Sequence, residues 1–186
     1  MDEKIKIYLG GELAHLYELG YISTDLHQLA AFGEMVEESR TADIERFFLK
    51  KRPTPINRYT KLTGEKRPRR TEVLEVRPGS IELILGVSTL VASIAMPLVA
   101  IRVNRELQRR DVKVQFNISP QDARLKRALD AYEAGTFGDG EDGLQLLFSA
   151  LSNDYDVTAL GPHLYEIEHV VDQYSRRIVR TISKFH

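Results

Sequence analysis

The sequence predicts an α+β fold: a small sheet with several helices and one long, strongly apolar central helix that is a candidate membrane-spanning segment. Three observations predict it. Apolar and polar residues alternate at residues 4–9 and 112–118, as in half-buried strands. Apolar residues three and four apart mark helices through much of the remainder. Residues 83–101 run nineteen positions without a charge.

The elements follow in order along the chain. Ile5, Ile7 and Leu9 alternate with Lys4, Lys6 and Tyr8, and the Gly10-Gly11 pair ends that strand. Leu13, Leu16 and Leu19 predict a short helix stopped by Gly20, and Ser23 to Asp25 offers caps for a second one carrying Leu26, Leu29, Ala30 and Val36. Thr41 opens another helical stretch with Ile44, Phe47 and Phe48. Pro53, Pro55, Gly64 and Pro68 predict a loop or hairpin arm over residues 52–71. Val73, Leu74 and Val76 read as a strand stopped by Pro78-Gly79. From Ser80, with Glu82 in its first turn, the long helix begins and continues toward Arg110. After the strand at 112–118, Ser119-Pro120 predicts a helix start and Gly135 its stop. Residues 138–143 read as an acidic, glycine-rich loop, 144–151 as a helix and 157–160 as a short strand. Gly161-Pro162 opens a final helix with Leu164, Ile167, Val170, Val171, Tyr174, Ile178 and Ile182 at helical spacing. Four regions result: 1–51, the basic arm 52–71, the unit 72–118, and a helical region 119–186.

Composition bounds the function. With 28% charged and 42% apolar residues, the 186-residue chain has a globular balance. The absence of Cys excludes disulfides, thiol catalysis and thiolate-held metals. No secretory signal pattern opens the sequence. The net charge of −1 conceals an asymmetry: residues 50–113 hold 15 basic and 6 acidic side chains, and the rest hold 11 and 21. One basic cluster includes Lys66, Arg67, Arg69 and Arg70; another is Arg102, Arg105, Arg109 and Arg110 with Lys113. Both predict contact with anionic lipid or nucleic acid, and their position beside the apolar segment favours lipid headgroups. Nucleic acid is the less expected partner, because one aromatic, Tyr59, stands among the nine basic residues from Lys50 to Arg70.

The apolar segment has two readings. Nineteen residues match the roughly 20 that a bilayer core requires. Leu83 and Ile101 bound the segment, Gly86, Ser88, Ala92 and Ser93 are small residues suited to helix contact in an oligomer, with Ser88 and Ala92 four apart, and Pro97 is tolerated in such helices. In the alternative, a strand–helix–strand unit buries the same helix against its sheet or at a subunit interface. The two exclude each other, since strands on opposite sides of a bilayer cannot pair.

Few residues point to chemistry. His15, His27, His163, His169 and His186 show no metal-binding spacing, and His163 and His169 read as surface positions on the last helix. The acidic run Asp139, Glu141 and Asp142 lacks the Glu that closes a calcium loop. Gly79-Ser80 has no phosphate-loop companion motif. No metal and no cofactor is expected. Arg180 and His186, with five residues between them, resemble the Arg-x4-6-His pair of HEPN ribonucleases, which implies metal-independent RNA cleavage by those two residues. The run over 72–118, with its Arg77-Pro78-Gly79-Ser80 turn, resembles small bacterial proteins of conflict and phage-defence gene clusters, similar to the effector-associated constant component families. That resemblance implies an accessory or effector role without catalytic residues.

The leading expectation is therefore a non-enzymatic, membrane-associated, homo-oligomerising protein. The alternatives are a soluble interaction module with a protein partner, cytoplasmic if the apolar helix is buried, and a HEPN-like ribonuclease.

Overall fold

Alternation in the first strand lays down the sheet on which the helices pack. A computed structural model describes residues 3–10, 16–50, 72–77, 81–87, 89–138 and 140–185. Its strands are β1 (Glu3–Gly10), β2 (Glu72–Arg77), β3 (Ile81–Val87) and β4 (Gln115–Pro120), in the order β2-β3-β1-β4. Every adjacent pair is antiparallel, with Ile5 opposite Leu85, Ile7 opposite Ile118 and Leu9 opposite Phe116. These six side chains are buried on the face that the helices cover. Lys4, Gln115 and Asn117 lie exposed on the other.

The helices are α1 (Leu16–Glu37), α2 (Thr41–Ile44) continued by a π-helical turn (Glu45–Leu49), α3 (Leu90–Arg109), α4 (Ala123–Glu133), α5 (Gly140–Leu151) and α6 (Leu164–Phe185). A 3₁₀ turn (Thr158–His163) leads into α6. Helix α3 is the centre of the fold. It touches α1, α4, α6 and strands β1, β3 and β4.

The apolar segment divides in two, which corrects the expectation of one long helix. Residues 81–87 are strand β3, because pairing with both β1 and β2 satisfies their backbone groups. The helix starts at Leu90, with Thr89 as its N-cap accepting from the Ala92 amide at 3.2 Å. Its apolar part, residues 90–101, spans about 18 Å. A bilayer core of about 30 Å exceeds that, and among the described residues no helix is long and apolar enough to cross a membrane. Every residue from Val91 to Ile101 is buried. The all-round apolar surface is thus explained by neighbours on every side within one chain. Since β3 and β4 both run antiparallel to β1, they are parallel to each other with β1 between them. Helix α3 is the buried crossover of that pair. Pro97 sits inside it and leaves the Ser93 carbonyl without its in-register donor.

The last turns of α1 hold the start of α3. Glu37 Oε1 accepts from the backbone amides of Leu90 at 2.6 Å and Val91 at 3.4 Å. One turn earlier, a Cβ on Gly33 would lie 2.5 Å from Thr89 Oγ1 and 2.9 Å from the Ala92 nitrogen. Only glycine permits this approach.

Other boundaries also moved. Helix α1 runs unbroken through Gly20 and the 23–25 segment, where the sequence predicts a break; Thr24 Oγ1 donates back to the Gly20 carbonyl at 2.9 Å. Ser119 and Pro120 end β4, and Asp122 caps α4 by accepting from the Arg124 and Leu125 amides. Helix α5 begins inside the predicted acidic loop, and the predicted strand at 157–160 lies in the 3₁₀ turn. The edge of β4 is closed by a side chain: Asn104 donates to the Phe116 carbonyl at 2.6 Å and accepts from its amide at 3.0 Å. The 52–71 arm lies outside the described residues.

Two glycines of α1 predict opposite effects of one substitution. Gly33→Ala forces α1 and α3 apart and lowers unfolding stability by about 1–3 kcal/mol. Gly20→Ala, with open space around it, raises stability by about 0.5–1 kcal/mol. Urea denaturation of both variants measures this, and equal shifts would contradict the close approach at Gly33.

Candidate functional site

Beyond Ile101 the character of α3 changes. Val103 and Leu107 continue the buried face, while Arg102, Arg105 and Arg109 recur at three- and four-residue spacing on another, with Arg110 at the C-cap. Helix α6 presents a matching stripe, Glu168, Asp172, Ser175, Arg176, Val179 and Arg180. Between the two lies an open cleft of about 880 Å³, to which Glu106 and Gly140, the first residue of α5, also contribute. Among the described residues, six arginines and three carboxylates line it, with no lysine.

The pairings are graded by depth. At the floor, Arg102 Nη2 donates to both carboxylate oxygens of Glu168, at 2.8 and 2.6 Å. Burial disfavours the Arg102 charge, but the hydrogen bonds and charge of Glu168 outweigh it and hold the guanidinium above its ordinary pKa. Toward the rim, Arg110 and Arg109 share Glu106, at 2.9 and 3.6 Å, and Arg176 meets Asp172 at 3.1 Å. The hydrogen bond from Arg110 holds the Glu106 carboxyl below its usual range. Arg105 donates to the Glu133 carbonyl at 2.8 Å. Arg180 is exposed, and among the described residues its guanidinium has no hydrogen bond or ion pair. The Arg109 and Arg176 side chains are 77% and 80% exposed. Exposed pairs of this kind contribute roughly 0–1 kcal/mol, so an incoming anion displaces them at small cost.

The opposite side of α6 fixes its place. Arg177 Nη2 meets the buried Asp25 of α1 at 2.5 Å, and its guanidinium lies 4.9 Å from the centre of the Tyr174 ring. Tyr174 donates to Gln28 Oε1 at 2.6 Å. Burial pushes the Asp25 carboxyl up to about 6, with Arg177 drawing it partly back. Burial likewise raises the Tyr174 hydroxyl above its ordinary pKa.

The structure brings together Arg102, Arg105, Arg109, Arg110 and Arg180, which the sequence placed in two unrelated proposals. His186, Ser88 and the basic residues Lys66, Arg67, Arg69 and Arg70 lie outside the described residues, as does Asp139. Leu83 and Gly86 belong to β3. Ala92, Ser93, Pro97 and Ile101 are buried in α3, and of the small residues that suggested assembly Ala92 and Ser93 contact this chain's own Gly33 and Thr89. His163 is buried in the 3₁₀ turn, 3.9 Å from Glu166, and is neither on α6 nor at the surface as the spacing predicts; His169 is exposed. Among the described residues no cluster of three His, Asp or Glu could hold a metal. Glu168, Asp172 and Arg176 escaped sequence reasoning, although their four-residue spacing up to Arg180 marks a single charged stripe.

Asp25 gives the site's support a pH dependence. Its folded pKa lies above the ordinary 3.8, so its contribution is complete below about pH 4 and is lost as pH rises through about 6. The expected loss is at most roughly 3 kcal/mol. Urea denaturation at several pH values should show this limb in the parent chain and a flatter one in Asp25→Asn. Coincident limbs would contradict the burial of a charged Asp25.

Comparison with protein-family models, with curated proteins and with solved structures gives no match for the chain.

Proposed function

We propose that the chain is a non-enzymatic α+β interaction module that engages an anionic partner through the cleft between α3 and α6. One observation carries this reading: six arginines face three carboxylates on two well-anchored helices, in a chain of net charge −1. Arginines gathered this way repel one another, and a bound anion relieves that repulsion. The apolar segment supports the reading too. Because its helical half is consumed in the core, it is not offered to a lipid phase or to a second subunit. A flat headgroup plane meets only the rim of a concave site, which favours a partner that enters the cleft. The resemblance of residues 72–118 to effector-associated constant components fits an accessory role, in which such a module couples an anionic signal or partner to other proteins.

A second reading, an RNA-cleaving pair of Arg180 and His186, is favoured by the position of Arg180 in this cleft without a carboxylate partner among the described residues. Cleavage of RNA by the full chain, abolished when the chain ends at Ser183, would establish it.

Retention on immobilised heparin tests the main reading. The chain is expected to bind at about 0.1 M salt, where screening acts over roughly 10 Å. Arg176→Glu with Arg180→Glu should elute at clearly lower salt, and replacing Lys66, Arg67, Arg69 and Arg70 by Ala should have the smaller effect. If the arm variant alone abolishes retention, the cleft is not the anion site.

A further inference from the structure

We infer that the anion the cleft takes is a nucleotide bearing two or more linked phosphates, a deepening that rests on the anion-binding reading above. Four features of the site carry the inference.

The first is the choice of cation. Among the described residues, every basic side chain that lines the cleft is an arginine. A diffuse attraction to a polyanion is served equally by lysine. The planar guanidinium fork instead pairs two N–H groups with two oxygens of one phosphate or carboxylate. The second is capacity. At about 880 Å³ the cleft lies within the range of roughly 300–1,000 Å³ typical of small-ligand sites, and it far exceeds the room that one inorganic phosphate occupies. A chain of phosphates also matches the surplus of three positive charges among the lining residues.

The third feature separates phosphate from an acidic peptide. Extended peptides gain affinity from main-chain pairing with a strand edge, and helical ones from an apolar groove. Here both long walls are α-helices, whose interior backbone groups are already paired. Among the described lining residues, Val179 is the single large apolar side chain. Neither mode of peptide binding has a foothold. The fourth is the presence of acceptors. Asp172, whose side chain is 46% exposed, pairs among the described residues only with the rim residue Arg176, and Glu168 lies deeper on Arg102. Carboxylates in an anion site repel bare phosphate but accept hydrogen bonds from hydroxyl or amino groups. A sugar carrying hydroxyls beside its phosphates satisfies both halves of the lining. In this arrangement Arg176 and Arg180 from α6 and Arg109 from α3 hold the phosphates, Arg102 stays with Glu168, and Asp172 accepts from the sugar.

Titration calorimetry with metal-free ATP, inorganic triphosphate and a tetraglutamate peptide tests the inference on the full chain. ATP is expected to bind at least tenfold more tightly than triphosphate, and triphosphate more tightly than the peptide. Arg176→Ala with Arg180→Ala should weaken ATP at least tenfold. Arg176→Lys with Arg180→Lys keeps the charge and should weaken ATP by a similar factor, while heparin retention stays near that of the parent. Unchanged thermal unfolding of both exposed-site pairs separates loss of binding from loss of fold. Triphosphate binding as tightly as ATP overturns the nucleotide assignment, and peptide binding as tightly as ATP overturns the phosphate assignment. An RNA oligonucleotide or a vesicle of anionic phospholipid binding tenfold more tightly than ATP overturns it in favour of a macromolecular anion. In each of these cases heparin retention through the cleft persists. Loss of retention as well as nucleotide binding overturns the anion-binding reading itself.

Discussion

The seating of α1 on the start of α3 is the contact on which the rest of the structure depends. A helix whose middle is apolar on every side has no stable place at the surface of one chain unless its neighbours close around it. Gly33 removes the side chain that would hold α1 away, and Glu37 supplies the carboxylate that two amides of α3 need. A negative charge at a helix N-terminus is favoured by the partial positive charge there. With its first turn capped and its apolar turns enclosed by α1, α6 and the sheet, α3 becomes a fixed crossover. Deleting a large buried side chain from such a helix typically costs 2–5 kcal/mol.

The cleft follows from that anchoring. The apolar half of α3 is held in the core, which fixes where its charged half lies beside α6. Both walls are restrained by contacts on their far sides: Asn104 ties α3 to the edge of β4, and Arg177 ties α6 to Asp25. The arginines at the rim are therefore exposed at their tips and fixed at their bases. That combination suits recognition, because the entropy of placing the backbone is lost during folding and not during binding.

The electrostatic asymmetry of the sequence takes on a different meaning in three dimensions. Arg102, Arg105, Arg109 and Arg110 come from the basic middle of the chain, and Glu168 and Asp172 from its acidic remainder. The fold sets part of each against the other across one cleft. Partial neutralisation keeps the site from destabilising the protein, while a surplus of arginine remains for a ligand.

The sequence alone determined the α+β class, strand β1 with its inward Ile5, Ile7 and Leu9, the amphipathic helix α6 and the clustering of arginine after Ile101. Each is local: period-two and period-3.6 patterns are written in neighbouring residues. Residues 81–87 were not legible as a strand, because a run of apolar residues fits a buried helix or a doubly flanked strand equally, and pairing with β1, more than 70 residues away, decides between them. The same holds for Gly20, which breaks a helix by propensity but is carried through one by the tertiary contacts of Ile22, Leu26 and Leu29. The meeting of Arg102 with Glu168, 66 positions apart, was likewise beyond any local pattern. Only the tertiary structure decided that the apolar segment is a core and that the charged stripes of two distant helices make one site, because burial is a property of what surrounds a residue and not of the residue itself.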